Sequence, residues 1–392
     1  MQNILENIDN CTGCSSCAQS CVQQCIQMTP NEEGFLVPRI DNSRCTDCRL
    51  CQKACPVLKA HKKAEEQNNG PTDAKPRVYA AWSQDDATRL NSSSGGIFSL
   101  LAEACLQKGG TVFGASFDSD FTVKHTGISN TSELDNLRRS KYVQSDIHGS
   151  YAEAENLLEI GKPVLFSGTG CQIAGLKSYL GKNYPGLLTV DLVCYGVPSP
   201  GVWSLYLDYI TRKFKSGIKA VSFRNKQNGW EKYRMRIEFK NGRVYSRPAV
   251  DETYFIGFGK GLFNRKSCST CMFRHPNSKA DITLADFWGI TKLPGNDARD
   301  NKGVSQIIVN TSEGQDAFDA LAENCRLQER SFEEAARLNP RLVSSCPLPE
   351  SRARFFYDYT NGTPFAGLMR KYMNPSVQRV KRIVKTLIGR VN

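Results

Sequence analysis

Two stretches near the start of the chain decide its N-terminal fold: CTGCSSCAQSC at residues 11–21 and CTDCRLCQKACP at residues 45–56. Both have the spacing C-x2-C-x2-C-x3-C. Three cysteines on one tight loop and a fourth from elsewhere supply the four thiolates of a cubane iron–sulfur cluster, and in two-cluster arrangements the fourth cysteine of each run binds the other cluster. The spacing therefore predicts two [4Fe–4S] clusters. The predicted ligands are Cys11, Cys14, Cys17 and Cys55 for one cluster, and Cys21, Cys45, Cys48 and Cys51 for the other.

Zinc and disulfides are the alternative uses of these cysteines. A zinc site takes four ligands in two pairs. That pattern differs from the two runs here, each of which has three closely spaced cysteines and a fourth. The segment instead resembles a bacterial-type ferredoxin. Val22 departs from that pattern, because a proline usually follows the fourth cysteine of the run. Cys25 is interpreted as a small buried residue and not as a ninth ligand.

Length and composition predict a multidomain cytoplasmic protein. The 392 residues suffice for two or more domains, and the first residues carry neither a basic region nor an apolar run typical of a signal peptide. No stretch approaches the roughly 20 apolar residues of a membrane span. The net charge is +12, but residues 370–392 contain seven basic residues and no acidic one, which leaves +5 for the rest.

The chain after residue 77 is predicted to form a mixed-sheet α/β body. Apolar runs at 163–167 and 187–193 precede helices at 171–180 and 200–214, which indicates strands buried on both faces of a sheet. Further strands are predicted at 78–83, 111–117, 121–129, 281–286 and 305–310, and further helices at 97–107, 132–138 and 151–159. Antiparallel strands are predicted at 220–224, 233–240 and 243–246, the last two joined by an Asn-Gly turn.

The predicted fold class is therefore α+β / α/β, with a small two-cluster ferredoxin domain before the mixed-sheet body. The predicted domains are a ferredoxin-type domain at 1–58, a linker at 59–77, two body regions at 78–160 and 161–345, and a basic tail at 346–392. Apolar residues of the tail, from Val377 to Val391, follow helical spacing with basic residues on the other faces. Such an amphipathic helix favours contact with an anionic membrane surface or a partner, and docking on the body is the alternative.

Four further cysteines fall where ligands are expected in the body. Cys171 and Cys194 follow two predicted strands, and Cys268 and Cys271 form a Cys-x2-Cys pair on a polar loop. Loops at the carboxyl ends of strands in an α/β sheet converge on one crevice. The four thiolates could therefore share a third [4Fe–4S] cluster or a zinc ion; two buried structural cysteines and an unrelated pair are the alternative.

Two other motifs point to a phosphate-bearing cofactor. Ser93, Ser94, Gly95 and Gly96 precede a helix, where backbone N–H groups can cradle a phosphate, and Ser92 or Ser93 is the expected helix cap. Ser140, Lys141 and Tyr142 form a basic and aromatic group that could face a flavin or phosphate, or form a surface turn. His125 is a candidate for proton transfer, although a lone histidine is more often structural.

Several motifs together resemble one family. They are SSGG at 93–96, SKY at 140–142, GTGCQ at 168–172, DLVCYGVP at 191–198 and DFWG at 286–289. Residues 78–345 are similar to the coenzyme F420 hydrogenase/dehydrogenase beta subunit family. Two departures are Gly170, where a proline usually precedes the first of these cysteines, and Tyr195, where a histidine usually follows the second.

This resemblance implies FAD beside a third cluster, and an electron relay from the N-terminal clusters to the flavin and on to an organic substrate. Thr169, Gln172 and Trp288 are further candidates for the cofactor site, and Lys141, Tyr142 and His125 are the catalytic candidates. The donor is a ferredoxin-like protein or reduced F420, and the substrate F420 or another metabolite, including one from surface-polysaccharide biosynthesis. An electron-transfer subunit without its own substrate is one alternative. A zinc-bearing nucleic-acid binder is the other, which the confinement of the excess charge to the tail disfavours.

Overall fold

The computed structural model describes residue 8 and residues 10–66, 76–295 and 297–373. Its N-terminal part is small and surrounds the duplicated cysteine motif. It contains helices α1 (Ser16–Gln19), α2 (Leu50–Lys53) and α3 (Pro56–Glu66) and strands β1 (Ile26–Pro30) and β2 (Leu36–Ile40). The two strands form an antiparallel pair. Helix α3 crosses the predicted domain boundary at residue 58, so the start of the predicted linker is helical; the division into domains stays a prediction.

The body contains eleven further strands within the described residues. They are β3 (Arg77–Ser83), β4 (Thr111–Phe117), β5 (Val123–Ile128), β6 (Val164–Ser167), β7 (Leu187–Leu192), β8 (Ile218–Asn225), β9 (Arg234–Phe239), β10 (Val244–Pro248), β11 (Ile282–Asp286), β12 (Ser305–Val309) and β13 (Cys325–Arg330). Strands β8 to β10 form a separate antiparallel sheet, as predicted. The other eight form one mixed sheet in the order β13-β3-β12-β11-β7-β6-β4-β5.

Eleven α-helices accompany these strands in the described part of the body. They are α4 (Asp86–Asn91), α5 (Ile97–Gln107), α6 (Leu134–Leu137), α7 (Ser150–Glu159), α8 (Gly170–Leu180), α9 (Pro200–Phe214), α10 (Thr253–Gly259), α11 (Ser312–Asp319), α12 (Phe332–Leu338), α13 (Arg352–Thr360) and α14 (Phe365–Met373). The predicted helix at 132–138 is only a 3₁₀ turn followed by the single turn of α6. None of the helices among the described residues is both long and apolar enough to cross a membrane.

The mixed sheet is buried on both faces, which confirms the prediction from its apolar strands. Leu165 and Val190 face a core that includes α5, whereas Phe113 and Phe166 face a core that includes α7 and α8. The four central strands β4, β6, β7 and β11 are parallel to their neighbours in this group. Their carboxyl ends therefore lie along one edge of the sheet, where ligand sites of α/β proteins form.

The small N-terminal part packs directly on the body. Helix α7 lacks a capping side chain of its own, and the Gln19 side chain accepts hydrogen bonds from the Tyr151 and Ala152 N–H groups at its start, at 3.1 and 3.2 Å. On α8, a side chain at Gly175 would meet the Cys14 Cβ at 3.0 Å, so glycine permits the close approach. The N-terminal cysteines thus lie against the two helices that cover the sheet.

The described C-terminal residues also pack on the body. Phe365, Leu368 and Met369 of α14 are buried in the core that surrounds α9 and the three-stranded sheet. The predicted amphipathic helix, from Val377 to Val391, lies outside the described residues. Its contact with a membrane or partner stays a prediction.

Candidate functional site

The first cysteine group lies at the surface of the molecule. Its members line one small cavity: Cys21, Cys45, Cys48 and Cys51. Cys48 is exposed, whereas Cys51 is buried. The four are the set that the crossed-ligand spacing predicts for one cluster, and the structure brings them together. Cys25 lines the same cavity, is buried as predicted, and has its Sγ 3.4 Å from that of Cys21.

The second cysteine group lies deeper. It consists of Cys11, Cys14, Cys17 and Cys55, which act on one another electrostatically. Burial raises the pKa of Cys14 to about 12, and the charges of neighbouring cysteines act in the same direction. Thiolates in this position need a nearby cation, which the irons of a cluster supply. Cys171 of the body is one of the cysteines acting on Cys14, so this group adjoins the third one.

The third cysteine group is assembled from three separate segments of the body. Cys171 lies at the start of α8, Cys194 follows β7, and Cys268 and Cys271 lie in and after a 3₁₀ turn. All four line one cavity of about 50 Å³. Burial raises the pKa of Cys171 to about 11 and that of Cys268 to about 12.

A cluster and a single ion require different arrangements of their cysteine ligands. A cubane has four irons and binds each thiolate to a different one, so its cysteines surround a cavity instead of converging on one point. Two of the groups each line one cavity: Cys21, Cys45, Cys48 and Cys51, and Cys171, Cys194, Cys268 and Cys271.

Cys346 is a fifth cysteine at the third cavity, which the sequence does not reveal. It is buried, accepts a hydrogen bond from Asn264 Nδ2 at 3.5 Å, and lies 3.5 Å from the Pro347 carbonyl oxygen. It stands alone in the sequence, without a neighbouring cysteine at ligand spacing. Only the folded chain brings it to this site.

A much larger cavity, of about 970 Å³, opens beside the third cysteine group. It lies between the carboxyl edge of the mixed sheet and the three-stranded sheet. Cys171 and Cys194 line both this cavity and the small one. Leu192 is 47% exposed although its strand is central, because its side chain faces the cavity. An exposed leucine at the end of a central strand is an apolar platform for a bound ring.

The start of helix α5 borders the large cavity, but the predicted cap there is wrong. Gly96, with φ of 94°, is the N-cap, and no side chain caps the helix. Ser92 instead donates a hydrogen bond to the Thr88 carbonyl oxygen at 2.8 Å. A glycine is favoured at this left-handed φ. The first-turn N–H groups of an uncapped eleven-residue helix remain available to an anion at the cavity.

The predicted residues around this helix start have mixed roles. Ser93 Oγ accepts a hydrogen bond from the Ser140 N–H at 2.8 Å, and Ser94 Oγ donates to the Val304 carbonyl oxygen at 2.7 Å. Gly95 lies directly against the backbones of β3 and β12. These contacts fix the loop from Ser92 to Gly96 against the sheet, and both serines still line the cavity.

Lys141 lines the same cavity, as predicted, but its ammonium group is largely committed to backbone contacts. Its Nζ donates to the Asn136 and Arg138 carbonyl oxygens at 2.8 and 2.9 Å. Burial and the nearby positive charge of Arg139 lower the pKa of Lys141 to about 7. One of the three ammonium donors remains for a ligand.

An arginine absent from the predictions lies at the centre of the aromatic part of the cavity. The buried Arg224 makes two hydrogen bonds to Asp286, at 2.8 and 2.9 Å, and donates to Tyr142 Oη at 3.1 Å. Its guanidinium lies 4.0 Å from the Tyr233 ring centroid and 5.2 Å from that of Trp288. Its Nε has no partner within the described chain.

Trp288 lines the cavity, and one face of its ring is already covered. Its indole stacks on Trp230 with ring centroids 4.7 Å apart and an interplanar angle of 5°. Trp230 also donates to Asp286 Oδ1 at 2.6 Å. Phe287, the other aromatic of this motif, is fully buried in the core. Trp288 is thus held by packing and presents only its remaining surface to the cavity.

His125 lines the cavity but is not charged at neutral pH. Its Nε2 donates to the Ser167 carbonyl oxygen at 2.9 Å, and its ring stacks on Phe166. Burial lowers the pKa of His125 to about 4. The tautomer with hydrogen on Nε2 leaves Nδ1 as a buried acceptor without a partner in the described residues. The role of His125 in proton transfer stays a prediction.

Thr169 and Gln172 lie beside Cys171, where the resemblance places them, and both line the cavity. They form a reciprocal capping box at the start of α8. Gln172 Nε2 also donates to Ser145 Oγ at 2.8 Å, so both ends of its amide are occupied. Thr169 Oγ1 is 3.1 Å from the Cys171 Sγ. Thr169 and Gln172 therefore fix the start of α8 and with it the orientation of Cys171.

Two regions of the chain match known protein families. Residues 10–58 match the 4Fe-4S dicluster domain, and residues 161–335 match the family described as the C terminus of the coenzyme F420 hydrogenase/dehydrogenase beta subunit. No curated protein sequence matches the chain. A solved structure from a xenon derivatization of the F420-reducing [NiFe] hydrogenase complex of Methanosarcina barkeri matches with 17% identity and a TM-score of 0.47, covering 70% of this chain and 92% of that chain. These family matches, over residues 10–58 and 161–335, agree with the resemblance seen in the sequence.

Proposed function

We propose that this protein is an iron–sulfur flavoprotein oxidoreductase that relays electrons between a ferredoxin-like donor, or reduced F420, and an organic substrate. The observation that carries the proposal is the order of its sites. Cys51 of the exposed group acts electrostatically on Cys17 of the deeper group. Cys14 of the deeper group adjoins Cys171, and Cys171 borders the large cavity. Such an order suits stepwise electron transfer to a substrate bound in that cavity.

The third cysteine group would hold a [4Fe–4S] cluster, and the large cavity would hold FAD. Bound together, these groups convert single-electron transfers into the two-electron reduction or oxidation of an organic molecule. The chain's residues contribute binding and orientation. The uncapped start of α5 and the free donor of Lys141 favour the flavin phosphates, and Leu192 offers an apolar surface to its ring.

Arg224 and His125 would complete the recognition of the cofactor or substrate. Both residues line the large cavity. Arg224 would act there through its guanidinium, which is fixed by Asp286, and His125 through its neutral ring.

Anaerobic reconstitution tests this function directly. We expect about twelve iron atoms and an equal amount of sulfide per chain, as three cubanes require, together with one FAD. Absence of bound flavin would overturn the flavoprotein assignment, and eight iron atoms would remove the third cluster. Substrates would then be sought among F420, sugars and other metabolites, including intermediates of surface-polysaccharide synthesis.

A matched pair of leucine substitutions locates the flavin. Leu192 and Leu327 are similarly exposed, at 47% and 43%, but only Leu192 faces the large cavity. We expect Leu192→Glu to abolish FAD binding, because it places a carboxylate against the predicted ring surface, and Leu327→Glu to retain it. Equal flavin content in the two variants would place the flavin elsewhere.

An electron-transfer subunit without its own substrate is the second candidate. The family match favours this second candidate, because the members of that family are described as beta subunits. The two candidates differ in turnover by the isolated chain. Oxidation or reduction of a small molecule by the reconstituted chain alone supports the enzyme, whereas electron transfer only to an added partner protein supports the subunit.

A further inference from the structure

Arg265 lies between the N-terminal cysteines and the third cysteine group. Its side chain is buried, with 5% exposure. Its Nε donates to the Cys11 carbonyl oxygen at 2.7 Å, and its Nη1 donates to the Leu36 carbonyl oxygen at 3.0 Å. On the other side, its carbonyl oxygen accepts the Cys268 N–H at 3.0 Å, and the residue lines the third cavity. The Arg265 side chain therefore contacts the dicluster domain, and the residue also lines the cavity of the third cysteine group.

Arg265 differs from the other buried arginines in its partners. In the described part of the chain the other three are each paired with a carboxylate: Arg89 with Asp300, Arg224 with Asp286 and Arg352 with Glu33. Among the described residues, the hydrogen bonds of Arg265 go to neutral acceptors, two backbone carbonyls and the Gln144 amide oxygen at 3.3 Å. The Phe35 ring lies 5.3 Å from its guanidinium.

A buried cation with only neutral partners is expensive in free energy unless negative charge lies nearby. Arginine cannot avoid the cost by losing its proton. Clusters held by four thiolates supply that charge, since the assembly is anionic and gains another negative charge on reduction.

We propose that Arg265 is a positioning residue whose charge stabilises the reduced state of the clusters on either side of it. It thereby raises their reduction potentials relative to the outer cluster at Cys48. Each reduction adds one electron to a cluster, and the arginine itself exchanges neither electrons nor protons. The part of the proposal that concerns the third cluster rests on the proposed function; the part that concerns the Cys11 cluster rests on the dicluster domain.

The test is a redox titration of anaerobically reconstituted full-length protein, monitored by EPR with dithionite as reductant. Arg265→Gln removes the charge, and Arg265→Lys retains it. We expect Arg265→Gln to lower the equilibrium constant for reduction of at least one cluster tenfold, which is about 59 mV for one electron. Arg265→Lys should stay within about threefold of the wild type, and one cluster, the outer one, should be unchanged in both variants.

The double variant Glu33→Gln/Arg352→Gln is the matched control. It removes the ion pair between Arg352 and Glu33, which is another buried arginine contact between the same two parts. Because one positive and one negative charge are lost together, the net charge is unchanged. We expect a lower melting temperature and unchanged potentials. A shift in this control equal to that of Arg265→Gln would assign the effect to docking and overturn the proposal.

Three other results would overturn the proposal. They are unchanged potentials in Arg265→Gln, an equal shift in Arg265→Lys, and failure of both variants to assemble clusters, which would show a purely structural role. Iron content separates this proposal from the proposed function. If the wild type holds eight iron atoms, the third cluster is absent, but the Cys11 cluster still reports the charge of Arg265.

Discussion

The N-terminal cysteines and the body cysteines form cavities by different routes. Cys45, Cys48 and Cys51 lie on one short loop, whereas Cys171 and Cys268 are roughly a hundred residues apart in the chain. Backbone conformation explains the local route. The residues on either side of the second cysteine have positive φ in both copies: Gly13 and Ser15 in the first, Asp47 and Arg49 in the second. The duplicated sequence therefore produces a duplicated loop.

The body route depends on the sheet instead. Cys171 and Cys194 converge because β6 and β7 are parallel neighbours that end at the same edge. The Cys268 segment is held there by backbone bonds, including the Arg265 N–H to the Val197 carbonyl oxygen at 2.9 Å. Each N-terminal loop places three of its cysteines through its own backbone conformation, whereas the body site exists only in the folded α/β domain. Substitutions should therefore affect the two regions independently.

The largest expected effect is the loss of one cluster by Cys194→Ser. Cys194 belongs only to the body group, so we expect iron content to fall from about twelve to about eight per chain. The dicluster spectrum should remain. Iron and sulfide analysis checks this, with Cys325→Ser as a control, because Cys325 is buried in the core away from all three groups. Loss of all iron would show that the regions are not independent.

The next effect is on the stability of the body. Arg224→Met leaves Asp286 without its buried partner, and breaking such a pair costs about 3–5 kcal/mol. We expect a lower free energy of unfolding and loss of flavin, with the dicluster retained. Denaturant unfolding followed by tryptophan fluorescence measures it. Arg236→Met, which breaks a half-exposed pair with Glu238, should change stability by less than about 1 kcal/mol. Similar losses in both variants would contradict this account of Arg224.

Acid sensitivity should also belong to the body, through His125. Its pKa is about 4 in the folded protein and 6.5 in the unfolded chain, so the unfolded chain binds the extra proton between these values. Stability is therefore lost as the pH falls from 6.5 towards 4, by about 3 kcal/mol in total. Unfolding of wild type and His125→Gln across this range measures the effect. A slope unchanged by the substitution would assign the acid sensitivity to other groups.

The same contrast explains what could be predicted from sequence. The ferredoxin spacing and the central strands are local patterns, and the structure brings the cysteines together as that spacing requires. Cys171 and Cys194 could be predicted because parallel strands end at one edge, and Cys268 and Cys271 because of their Cys-x2-Cys spacing. Arg224, Arg265 and Cys346 were not, because each depends on contacts between distant segments that leave no spacing signal. The helix cap was misassigned for a related reason: Gly96 has the left-handed φ that the turn requires, while the serines bond elsewhere.

The smallest expected effect concerns Cys25, which tests whether proximity or spacing selects the ligands. Its Sγ lies 3.4 Å from that of Cys21 in the same small cavity, so proximity alone would allow either to bind. The crossed-ligand spacing assigns Cys21. We expect Cys25→Ala to retain full iron content and to lose less than about 2 kcal/mol of stability, as for a small buried side chain. Cys21→Ala should lose the outer cluster. If Cys25→Ala lost it and Cys21→Ala did not, the two cysteines would exchange roles, and the local spacing would no longer suffice to define the N-terminal sites.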